Sequence, residues 1–147
     1  PDVALFIFTM AILRNEPIDV FNHGVMLRDF TYIDDIIEGV MKTLDRTAAP
    51  NPLWDAKNPD AATSAAPYRI YNIGNNAPVQ LSEFIAAIEK AVGKKAVKNL
   101  KEMQPGDISE SQADVSDLER DMGFKPVTRI EDGVKKFVDW YRDYYKE

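Results

Sequence analysis

Arg28-Asp29-Phe30-Thr31-Tyr32-Ile33-Asp34-Asp35-Ile36-Ile37 is the stretch on which the fold turns: a β-rich run that passes through a pair of acidic residues into a helix. It sets a permanently charged arginine beside Asp29 at the mouth of a rigid element. The planar fork of arginine offers several donors in fixed directions, which suits a phosphate. Arg28 can also be a surface charge paired with Asp29 or Asp34, and the stretch alone leaves both readings open.

Upstream, Val3, Phe6, Met10 and Leu13 recur at three- and four-residue steps, which predicts a helix ending before Asn15-Glu16-Pro17. Ile18 to Phe21 alternates as a short strand, Asn22-His23-Gly24 turns the chain, and a second strand is expected from Met26 to Tyr32. Asp34 or Asp35 is placed to cap the next helix, whose apolar positions Ile36, Ile37, Val40, Met41 and Leu44 run to about Asp45. Residues 47–67 are rich in Ala, Pro, Asn and Asp and are interrupted by Pro50, Pro52, Pro59 and Pro67. They read as an exposed loop, open to disorder.

Downstream, Tyr68 to Ile73 is a β-rich run closed by Gly74-Asn75-Asn76, and Phe84, Ile85, Ile88 and Val92 mark a helix stopped at Gly93. A short strand from Val97 to Met103 leads into Gln104-Pro105-Gly106-Asp107. Ser116 with Glu119, and Thr128 with Glu131, resemble capping boxes for a short helix ending at Gly123 and for a last helix striped by Ile130, Val134, Phe137, Val138 and Tyr141. The fold class expected is α/β, with about five helices and short, separated strands.

The 147 residues suffice for one domain with a real core. There is no cysteine and His23 is the sole histidine, so thiolate and His-cluster metal sites are excluded and a cytoplasmic location is expected. The net charge of -6 argues against a nucleic-acid track. No apolar run is long enough to span a bilayer, since the longest, Val3 to Leu13, is broken by Thr9; a protein without membrane contact is expected. The opening Pro1-Asp2, with no methionine, suggests the C-terminal piece of something longer.

The chemistry is sparse. No glycine-rich turn joins a strand to a helix, so no dinucleotide or P-loop fingerprint exists, and no tyrosine and lysine lie four apart on a helix. Tyr141 and Tyr145 fit the packing of the last helix, and His23 fits an exposed turn. Asp107 is different: a rigid proline and a flexible glycine precede it, so the loop can present its carboxylate as a fixed acceptor suited to a vicinal diol such as ribose. If the loops converge, Arg28, Asp107 and the backbone edge at Val20-Phe21 describe a nucleotide pocket.

Six ordered motifs, Pro1-Asp2-Val3-Ala4, Pro17-Ile18-Asp19-Val20-Phe21-Asn22, Arg28 to Asp35, Tyr71-Asn72-Ile73-Gly74, Gln104-Pro105-Gly106-Asp107 and Gly133-Val134, resemble the C-terminal part of the NAD-dependent sugar-nucleotide epimerases and dehydratases, the extended short-chain dehydrogenase/reductase family. The chain looks most like the UDP-glucuronate 4-epimerase branch. The resemblance implies oxidation at C4 of a UDP-sugar, rotation of the 4-keto intermediate and return of the hydride. NAD and all catalytic residues would lie in an absent N-terminal part, leaving this chain inactive alone.

Carried over, Arg28 is implied to contact the diphosphate and Asp107 the ribose, while Phe21, with Asp19 or Val20, borders the uracil. Gln104 departs from the arginine of the UDP-galactose epimerase branch, and Ser111 from a larger aromatic there; both favour the glucuronate branch. An arginine expected just before Pro1, implied to read the sugar carboxylate, falls outside the chain. Tyr68 to Ile73 would complete the missing Rossmann sheet, so the fragment would self-associate or be partly unfolded, and a homodimer is expected of the full-length protein. A related epimerase, dehydratase or decarboxylase, and a non-catalytic nucleotide-sugar-binding module, are the alternatives.

Overall fold

The computed structural model describes residues 3–147, so the Pro1-Asp2 opening of the first motif lies outside the described residues. These residues form two compact units. The first comprises the chain up to Phe30, Ala77–Gln112 and Thr128–Glu147; the second comprises Thr31–Asn76 and Ala113–Val127.

In the first unit, α1 (Ala4–Arg14) ends where Asn15 takes a left-handed conformation, φ 57°, which asparagine tolerates better than most residues. The chain then enters β1 (Pro17–Val20), whose alternation puts Ile18 and Val20 into the core. A 3₁₀ turn, Phe21–Gly24, follows, and then β2 (Leu27–Arg28). The strand expected from Met26 to Tyr32 is thus confined to two residues. Beyond Arg28 the chain leaves the sheet, because β2 is bounded by partners equally short: β3 (Val79–Gln80), antiparallel, and β5 (Glu110–Ser111), parallel.

Helix α3 (Leu81–Val92) starts directly from β3 and stops at Gly93, whose φ of 76° suits glycine. Its buried face of Phe84, Ile85 and Ile88 packs with Phe8 and Ile12 of α1 and with Val134 and Val138 of α5 (Ile130–Tyr145) in one core. Strand β4 (Val97–Leu100) pairs in parallel with β1, so that Asp19 lies opposite Asn99 and Val20 opposite Leu100. The strand expected to reach Met103 ends at Leu100, and all four of its residues are exposed. What ties it down is Glu89 of α3. That carboxylate is 5 % exposed and accepts from Lys95 at 2.7 Å, Lys98 at 3.0 Å and the Ala96 N–H at 3.1 Å.

In the second unit, α2 (Ile33–Leu44) has Tyr32 at its N-cap. Asp34 and Asp35 are therefore not the cap. They lie inside the first turn, where their charge opposes the positive end of the helix dipole. The helix buries Asp35 and Gly39, and Gly39 meets Ile73 and Phe124 so closely that a Cβ there would lie 3.1 to 3.2 Å from their carbons. Its apolar stripe of Ile33, Ile37, Val40, Met41 and Leu44 is instead exposed.

Residues 47–67 run through turns closed by their own bonds, including Asn51 N–H to Ser64 O at 2.8 Å and Trp54 Nε1 to Asp60 O at 3.2 Å. Tyr68 to Ile73 forms no ladder among the described residues beyond the bridge of Arg69 to Thr63. An extended run becomes a strand only when a neighbour supplies the other half of each hydrogen bond. The N-caps fall one residue away from Ser116 and Thr128. In α4 (Ser116–Met122) Val115 is the N-cap, and Asp114 Oδ1 accepts from the Ser116 N–H at 2.9 Å and its hydroxyl at 2.6 Å; in α5 the N-cap is Arg129, one residue past Thr128.

Two stability predictions follow from these contacts. Ile88 is fully buried, so Ile88→Ala should cost about 2–5 kcal/mol in denaturant unfolding. Burial alone would push the Glu89 carboxyl up, but Lys95, Lys98 and the Ala96 N–H hold it down at about 2, below the ordinary 4.5. Because the folded value is the lower one, the stabilisation is complete above pH 4.5 and disappears as the pH falls towards 2. It amounts to at most about 3 kcal/mol, and Glu89→Gln should flatten the acid limb of a stability-against-pH curve.

Candidate functional site

β2 is bonded on both sides, which fixes the direction in which Arg28 leaves the sheet. Leu27 N–H donates to Ser109 O at 2.8 Å and Asp29 N–H to Ser111 O at 3.2 Å, so the 104–109 loop is drawn alongside. Within that loop the Asp107 N–H donates to Gln104 O at 3.1 Å, and Gly106 sits at φ 84°, closing a tight turn that aims Asp107 back at β2.

The two predicted residues meet. Arg28 Nη2 donates to Asp107 Oδ1 at 3.0 Å and to Ile108 O at 2.8 Å, while Nη1 donates to Leu27 O at 2.9 Å. The partner of Arg28 is thus Asp107, not Asp29 or Asp34. Asp107 Oδ1 also accepts from the Ile108 N–H at 2.8 Å. Both side chains remain partly open to solvent, at 26 % for Arg28 and 31 % for Asp107.

Arg28, Asp107, Asp19 and Phe21 line one cavity of about 380 Å³, with Phe30 and Leu81 among its apolar walls. Phe30 is held by stacking on Phe84 at a centroid distance of 4.3 Å. Asp19 accepts from Lys101 Nζ at 2.6 Å and Asn99 Nδ2 at 3.3 Å. The Lys101 hydrogen bond, ahead of all other influences, keeps the Asp19 carboxyl below its usual range. Lys101 Nζ also lies 5.8 Å from the centre of the Phe21 ring.

Two predicted residues stand apart from this cavity. Val20 is 2 % exposed with its side chain in the core, so only its backbone faces the site edge, where its carbonyl accepts from the Lys101 N–H at 2.9 Å. Gln104 is exposed and is not among the lining residues. Phe30, Leu81 and Lys101 were not singled out from the sequence. Lys101 and Asn99 do share one face of the predicted strand, and pairing β4 with β1 would have brought that face to Asp19.

A larger cavity of about 600 Å³ lies in the second unit and includes Arg46, Arg69, Tyr71 and Asp121. Most of its polar groups are paired internally: Arg69 pairs with Asp117 at 2.6 Å and Asp121 at 3.3 Å, Tyr71 donates to Asp121 at 3.0 Å, and Arg46 donates to the Asp121 carbonyl, while the buried Arg69 Nε is left without a hydrogen-bond partner. These ion pairs tie α4 to residues 46–71 within the second unit.

No family model matches the chain. In sequence and fold, however, it is homologous to the C-terminal part of the NAD-dependent nucleotide-sugar epimerases of the extended short-chain dehydrogenase/reductase family. Protein CapI of Staphylococcus aureus is 56 % identical over 147 residues, which are 100 % of this chain and 44 % of that protein. UDP-glucuronate 4-epimerase 2 of Arabidopsis thaliana is 38 % identical over 151 residues, covering 100 % of this chain and 34 % of that protein. The crystal structure of UDP-glucuronic acid 4-epimerase from Bacillus cereus with UDP-glucuronic acid and NAD superposes with a TM-score of 0.77 at 28 % identity, covering 99 % of this chain and 41 % of that one. The chain therefore spans less than half the length of these relatives.

Proposed function

We propose that the protein containing this chain is an NAD-dependent nucleotide-sugar 4-epimerase that interconverts UDP-glucuronate and UDP-galacturonate, and that this chain is its substrate-holding part. The observation that carries the reading is the convergence of Arg28, Asp107, Asp19 and Phe21 on one cavity in the first unit. Arg28 holds the diphosphate, Asp107 the ribose, and Phe21 with Asp19 and the Val20 backbone borders the uracil. The ion pair with Asp107 neutralises the local charge, so Arg28 acts on the diphosphate mainly through directed hydrogen bonds. Gln104, an exposed amide on the same loop, adds none of the charge an arginine there would bring.

The described residues do not fit NAD. The Gly-rich cradle that binds a dinucleotide stands between a strand and a helix, and where β3 runs into α3 the junction residue is Gln80. NAD is accordingly assigned to another part of the protein, together with the catalytic residues. This chain alone is inactive on that reading. The exposed stripe of α2 and the unpaired run at Tyr68 to Ile73 support a covering segment, since long apolar surface and open strand edges are usually shielded. The full-length protein is proposed to be a cytoplasmic homodimer.

In the full-length protein, Arg28→Ala should weaken UDP-sugar binding by about 1.5 to 3 kcal/mol, the scale of a charged hydrogen bond; an unchanged Michaelis constant would refute its role. Calorimetry should give tighter binding of UDP-glucuronate than of UDP-glucose. The 147-residue chain by itself should self-associate or be partly unfolded, and a monodisperse monomer in light scattering would count against a missing cover.

A further inference from the structure

Lys101 is not itself among the residues lining the proposed nucleotide cavity, yet it is hydrogen-bonded to Asp19 and to the Val20 backbone and lies over the ring of Phe21, the residues that form one of its edges. Its backbone extends the β1–β4 pairing one step beyond the last ladder residue: the Lys101 N–H donates to Val20 O at 2.9 Å, and its carbonyl accepts from the His23 N–H at 3.2 Å. These two bonds straddle Phe21, the residue at which the chain leaves β1 for the 3₁₀ turn. In the turn that follows, Asn22 and His23 both sit at positive φ, 47° and 50°, and the turn is also closed by Asn22 Nδ2 donating to Val25 O at 2.7 Å and the Val25 N–H donating to Asn22 O at 2.8 Å. Neither is a glycine, so these local bonds and those to Lys101 together hold the turn in this shape.

The side chain acts on the same corner. Lys101 Nζ reaches Asp19 Oδ2 at 2.6 Å and lies 5.8 Å from the centre of the Phe21 ring. An ammonium over an aromatic face is attracted to the ring quadrupole, and here one cation is shared by the ring and the carboxylate. Asn99, on the same face of β4, adds a second donor to Asp19 at 3.3 Å. Asp19 and Phe21 can therefore keep their orientations at the cavity edge without a ligand.

We propose that Lys101 is a positioning residue for the nucleoside end of the substrate: through Asp19 and Phe21 it preorganises the cavity edge against which the base stacks, while Arg28 deals separately with the diphosphate. The inference rests on the reading of the cavity as a UDP-sugar site. It assigns to Lys101 neither contact with substrate nor any part in the reaction. The gain is entropic, since an aromatic platform and a carboxylate already fixed lose less freedom on binding.

Lys101→Met removes the cation and keeps the length of the stem, and Lys101→Arg restores both the charge and the stacking. In the full-length protein, Lys101→Met should raise the dissociation constant for UDP about five- to tenfold. Inorganic pyrophosphate, which has no base, should compete equally well in the parent and the variant. The melting temperature should stay that of the parent, and Lys101→Arg should recover UDP affinity. UDP affinity unchanged in Lys101→Met, or an equal loss for UDP and pyrophosphate, or a loss that follows a lowered melting temperature and is not recovered by Lys101→Arg, would overturn the proposal. A parent protein that binds no UDP at all would overturn the reading of the cavity itself, and this inference with it.

Discussion

Two residues of strand, Leu27 and Arg28, carry a disproportionate share of the first unit. They are hydrogen-bonded on both sides, antiparallel to β3 and parallel to β5. Because β3 leads straight into α3, this small sheet is tied to the core helix; because β5 follows the 104–109 loop, it also draws Asp107 to Arg28. A two-residue strand has little stability by itself. It persists because α3 and its neighbours bury Phe84, Ile85 and Ile88, and because the loop closes on the arginine it flanks.

The pairing of Arg28 with Asp107 changes the meaning of each residue. An arginine alone at a strand end would be a mobile charge, and a carboxylate after Pro-Gly a mobile acceptor. Held at 3.0 Å from one another, they form a rigid, nearly neutral polar wall. Such a wall recognises shape and hydrogen-bond pattern more than charge, which accords with a net charge of -6 in a chain proposed to bind an anionic ligand. Two other lining residues, Asp19 and Phe21, are contacted by Lys101 from outside the lining.

Helices with a one-sided apolar pattern were legible in the sequence, α1, α3 and α5 above all, because a 3.6-residue period leaves a strong trace over three or four turns. The short strands β3 and β5 were not, since two residues cannot display an alternation. The caps were misread for a related reason. Ser116 carries the right side chain, but Asp114 takes both its N–H and its hydroxyl and Val115 becomes the N-cap. The apolar stripe of α2 was visible too, although periodicity can say only that a face is apolar and never what covers it.

The site divides along the same line. By itself the sequence determined the chemistry available, a fork-shaped cation at Arg28 and a loop-held carboxylate at Asp107, because residue type and local turn chemistry are properties of a few neighbouring residues. Only the tertiary structure decided that Arg28 pairs with Asp107 rather than Asp29, that Val20 turns into the core, and that Lys101 reaches Asp19. Those outcomes depend on strand register between segments about 80 residues apart, where a shift of one residue would send every side chain to the opposite face.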